Sequence, residues 1–127
     1  MGKLQANSEN LAVPCTLATP DLKKDSQVKI TGNRTVDLAG AGDIAIGTLV
    51  HSHNDSLKAT VETRFTKKLE FKFGATLAAG VRVKMGAVSA GEQTVVAFVV
   101  GTDDALLCVG VVWVGAANGA VGEILAF

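Results

Sequence analysis

The chain has 127 residues, enough for one domain with an arm or tail, and twelve basic residues cancel twelve acidic ones. That neutrality argues against a nucleic-acid binder, which needs a concentrated positive surface to displace counterions. Hydrophobic residues make up 48% and aromatics 5%, with no Tyr, so the core is expected to consist of Val, Ala, Leu and Ile, with part of the stability coming from subunit association.

Residues 1–27 hold both prolines, Pro14 and Pro20, among polar neighbours and scattered apolar residues: Leu4, Leu11, Val13, Leu17 and Leu22. Proline cannot serve in a central strand and biases the residue before it to an extended conformation. The segment reads as an extended N-terminal arm, the alternative being a disordered terminus, with the β-domain occupying 28–127. At about 3.3 Å per residue such an arm spans tens of Å, enough to reach a neighbouring subunit. Leu4, Leu11, Val13 and Leu17 are its expected docking residues. The segment has no apolar h-region, so no secretory signal is expected and synthesis is expected in a reducing cytoplasm.

From Val28 the pattern becomes strand and turn. Short strands are expected at Val28–Thr31, Arg34–Leu38 and Ile44–His51, with turns at Gly32-Asn33 and across Ala39–Asp43. Thr60–Phe73 alternates with period two, as a strand with one wet face does, and Lys67-Lys68 interrupts it as a bulge or tight turn would. Val81–Met85, Thr94–Val100, Ala105–Val114 and Ala120–Ala126 complete the series. Eight or nine short strands at this spacing predict an all-β small barrel or sandwich. The apolar tail, Leu106–Phe127, is too broken by glycines for a membrane helix.

Few residues offer chemistry. His51, His53 and Asp55 could share a strand face, but Asn54, Asp55 and Ser56 are turn formers, and no distant ligand completes a site. A surface loop is the simpler reading, with no metal, no cofactor and no catalytic residue. Cys15 and Cys108 lie in unlike surroundings, poor company for a disulfide. Val83-Lys84-Met85 lacks the methionine before the lysine that a biotin or lipoate carrier would show. Trp113, the single tryptophan, is a candidate core or subunit-interface residue.

Residues 75–127 resemble the small capsid cement, or decoration, proteins of tailed bacteriophages. The likeness rests on Ala78-Ala79-Gly80 before the strand Val81-Arg82-Val83, on Val109-Gly110-Val111, and on Ala116–Gly119 before the closing Gly122–Leu125 strand. It implies a β-barrel or β-tulip-like subunit that trimerises and sits on the outer shell, bridging units of the major capsid protein and stabilising the mature lattice. It implies no enzyme activity, no direct nucleic-acid contact and no membrane partner. The competing readings are a tail-tube, head–tail joining or fibre-associated structural protein, and a small β-barrel enzyme or carrier domain using Lys84 or the histidine loop.

Overall fold

A computed structural model describes residues 12–52, 57–63 and 67–126, the side chains of His51 and Ser52 excepted. The fold is all-β, as the strand spacing predicts, with a single 3-10 turn among the described residues, at Ala105–Leu107. The strands are β1 (Ala12–Leu17), β2 (Gln27–Gly32), β3 (Thr35–Leu38), β4 (Gly47–Ser52), β5 (Lys58–Thr63), β6 (Lys67–Phe73), β7 (Arg82–Met85), β8 (Thr94–Ala97), β9 (Cys108–Val114) and β10 (Val121–Ala126).

The chain forms two compact units rather than an arm and one domain. The first comprises 1–38 and 46–65, the second 39–45 and 66–127. Each contains a closed five-stranded barrel, β1-β3-β2-β4-β5 in the first and β10-β6-β8-β7-β9 in the second. Closure removes the unpaired edges that a small open sheet would expose. Leu17, Val28, Leu49 and Val61 fill the first barrel, and Phe73, Val83, Val95, Val112 and Ile124 the second.

Two expectations are corrected here. The arm boundary at 27 fails, because β1 is a strand of the first barrel and Leu22 lies in its core. Pro14 is tolerated because β1 meets β5 along Ala12–Thr16, whereas β3 pairs only with Thr16 and Leu17. The missing N–H of Pro14 therefore falls beside an unpaired stretch. The interruption expected at Lys67-Lys68 within 60–73 is misplaced: both lysines belong to β6, and the stretch is shared by two strands, β5 and β6, of different barrels.

The two barrels repeat each other in register. In both, the first strand runs parallel to the third and antiparallel to the fifth, and the second and fourth are antiparallel partners. Leu17 opposite Val36 becomes Phe73 opposite Val95. Val28 opposite Gly47 becomes Val83 opposite Gly110, and Leu49 opposite Val61 becomes Val112 opposite Ile124. The fourth strand then bulges at the same place, around Val50 in the first barrel and Trp113 in the second. At the paired glycines a Cβ would overlap a backbone carbonyl of the fifth strand, Glu62 for Gly47 and Leu125 for Gly110. The backbone approach at this crossing therefore demands glycine in both copies.

Candidate interaction surfaces

Among the described residues no group of three or more His, Cys, Asp or Glu side chains could hold a metal ion. His53 lies outside the described residues, and His51 is a β4 residue paired with Thr60. Cys15 and Cys108 are both free thiols. Burial pushes the Cys15 thiol above its ordinary range. Lys84 is no exposed hairpin lysine: it sits in β7, paired with Val96, and its Nζ donates to Asp103 Oδ1 at 2.7 Å.

The first surface is an open end of the first barrel. A cavity of about 310 Å³ lies between Val13, Cys15, Ile30, Ile46 and Val61, with Arg34 at the end of the β2–β3 hairpin. Val13 and Ile30 remain 38% and 65% exposed. Register assigns each a counterpart in the second barrel: Leu69 for Val13, Phe71 for Cys15 and Met85 for Ile30. All three counterparts are buried in the second core. Bulkier side chains fill part of that space, and the segment 39–45 covers it further. Ala39 and Ala45 belong to the second core, and Gln93 Nε2 donates to the Ala39 carbonyl oxygen at 2.8 Å.

The second surface is the loop 98–107, between β8 and β9. Its turn is built like that of 39–45. The Gly40 amide donates to Asp43 Oδ2 at 2.8 Å, and the Asp43 amide returns to the Gly40 carbonyl oxygen at 3.1 Å. In the later loop the Val99 amide donates to Asp103 Oδ2 at 2.7 Å, and the Asp103 amide returns to the Val99 carbonyl oxygen at 2.9 Å. The hydrogen bond from Lys84 and that from the Val99 amide hold the Asp103 carboxyl below the usual carboxylate range. The loop nevertheless exposes Val99, Val100 and Leu106, the last two at 71% and 60%.

The third surface is the outer wall of β9 and β10. Trp113, Val114 and Val121 are exposed, and Val111 and Leu125 are half-buried partners. The first barrel carries Thr48, Glu62 and Lys58 at the positions of Val111, Leu125 and Val121. Thr48 is buried and accepts from Gln27 Nε2, whereas Lys58 is exposed and Glu62 half-buried, so at those two positions the wall is charged in the first copy and apolar in the second.

The residues assigned to a docking arm fall apart. Leu4 and Leu11 lie outside the described residues. Val13 lines the cavity, and Leu17, 1% exposed, is a core residue that cannot meet a partner. Trp113 is 57% exposed on the β9 bulge, so within the chain it is a surface residue rather than core. The loop 98–107 escaped the sequence reading because Val99 and Val100 read as the end of a strand.

This double barrel has a structural counterpart. The chain superposes on "head fiber gp8.5 N base in bacteriophage phi29" with a TM-score of 0.61, covering 93% of this chain and 94% of that one at 13% identity. The likeness spans both barrels and shows a shared fold. No family model matches the sequence. No curated protein matches it either.

Proposed function

We propose that this protein is a structural component of a tailed-phage head, carried on the outer surface of the capsid and bound to the major capsid protein. The observation that carries this reading is the near full-length match to a head-fibre base, which covers both barrels. The resemblance of residues 75–127 to capsid cement proteins points the same way from sequence alone. In this reading the protein acts by binding and not by catalysis, needs no cofactor, and works as a homotrimer. A ligand that binds only the mature lattice stabilises it by mass action, and three linked copies add their contacts. The apolar β9–β10 wall around Trp113 is the contact face expected to be covered in the assembly.

Cosedimentation with purified undecorated capsids tests the reading: the protein should pellet with the particles in a saturable ratio. Absence of binding to capsids of the phage that encodes it would overturn the reading. A cement role further requires that bound protein raise the melting temperature of the capsid. Saturable binding with no thermal effect would favour the alternative role, a base for a fibre.

A further inference from the structure

The two barrels treat the same pair of features differently. The second barrel has its end covered by the segment 39–45, with Ala39 and Ala45 in its core and the Ala39 carbonyl held by Gln93. Among the described residues of its own unit, the first barrel has nothing over the corresponding end. Its apolar cavity of about 310 Å³ is lined at counterpart positions, and Arg34 stands where Gln93 stands, each one residue before the threonine that opens the third strand. The loop 98–107 is the counterpart of 39–45 by position between the third and fourth strands. It is also the counterpart by construction, since Asp103 locks its turn as Asp43 locks the earlier one. It exposes three aliphatic side chains, yet among the described residues of its unit the first barrel's end has no loop of this kind.

We propose that the occupant of the open first barrel is the loop 98–107 of a second copy of this chain. Val99, Val100 and Leu106 enter the cavity between Val13, Cys15 and Ile30, as Ala39 and Ala45 join the core that contains Leu69 and Met85 in the second barrel. The cavity is larger because Val13 and Cys15 replace Leu69 and Phe71, and the incoming loop is correspondingly bulkier than the Ala-Gly segment. Arg34 has five N–H donors and takes the role of Gln93, donating to a main-chain carbonyl of the incoming loop. The contact joins two different faces, so it is head-to-tail, and copies linked this way close into a ring or continue as a filament. The trimer proposed above is the closed case. The inference rests on the self-association in that reading and not on capsid binding.

Sedimentation velocity of the full chain over a wide concentration range, with no capsid present, tests it. The parent chain should self-associate. Val100→Asp in the loop and Ile30→Asp at the cavity mouth should each weaken association at least tenfold, with circular dichroism and melting temperature unchanged because both residues are exposed. Serine at either position replaces aspartate if a charged variant fails to fold. Mixing the two variants is the decisive arm. The intact loop of the Ile30→Asp chain meets the intact end of the Val100→Asp chain, so a one-to-one pair that grows no further should appear. Alkylation of Cys15, followed by peptide mapping, should slow as parent concentration rises. A parent chain monomeric at every concentration, single variants that associate like the parent, or a mixture that forms no pair would each overturn the proposal. Loss of capsid attachment with self-association intact would instead count against the capsid reading alone.

Discussion

The two barrels share a pairing scheme position for position, yet among the described residues one closes over its core and the other is open at one end. Leu69, Phe71 and Met85 are buried in the second, whereas Val13 and Ile30 stand exposed around a cavity in the first. The outer walls differ in the opposite sense, apolar at Val121 and Leu125 in the second barrel and charged at Lys58 and Glu62 in the first. The scheme itself therefore fixes little beyond the inward positions, the bulge and the glycine at the fourth–fifth strand crossing. Everything else is free to serve a partner, and the two copies have spent that freedom differently.

The largest expected effect concerns what the barrels have in common. Phe73→Ala should cost about 4 kcal/mol, and Leu17→Ala at the matching position about 3 kcal/mol, measured by urea denaturation. A negligible loss for Leu17→Ala would restore the view that residues before 27 are an arm. Deleting residues 1–20 should for the same reason disrupt the first barrel, since it removes β1 whole. Native-state hydrogen exchange would report loss of protection across β2–β5.

Gly47→Ala and Gly110→Ala come next, each expected to destabilise by about 3 kcal/mol, because the added methyl meets a backbone carbonyl that cannot swing aside. Equal penalties at the two sites would confirm that the crossing is the same in both copies. Tolerance at one site alone would break the equivalence. Trp113→Ala should change stability by less than about 0.5 kcal/mol, the usual size for an exposed substitution, while weakening assembly or capsid attachment measured by sedimentation. A large drop in melting temperature would mean that the bulge residue supports the barrel.

The smallest expected effect is electrostatic. Asp103 has its carboxyl held low by Lys84 and the Val99 amide. In the acid range, between the lowered folded value and the ordinary unfolded one, the unfolded chain binds more protons than the folded chain, so stability rises with pH. The contribution is fully present above the ordinary aspartate range and is lost as pH falls through the folded value. Exchange of the Val99 amide should accelerate over that acid window in the parent and lose this pH dependence in Asp103→Asn. The Gly40 amide, held by Asp43, provides the internal comparison.

Sequence alone determined the class and most of the strands. Period-two alternation at Leu69–Phe73 and Arg82–Met85, glycine-rich turns and β-branched runs leave only β structure as a way to bury the apolar side chains. The duplication was not legible, because it resides in register. The positions it equates carry different residues, such as Cys15 and Phe71 or Glu62 and Leu125, and their strands are separated by loops of unequal length. β1 was hidden by Pro14, whose penalty depends on whether a neighbour needs its N–H, and only the pairing of β3 decides that. The site followed the same rule. Val100 and Leu106 are exposed while Leu17 is buried because Leu17 lies in a barrel core and the other two lie in a loop outside one. Hydrophobicity is a property of the residue, but exposure is a property of closure, and closure is made by contacts distant in sequence.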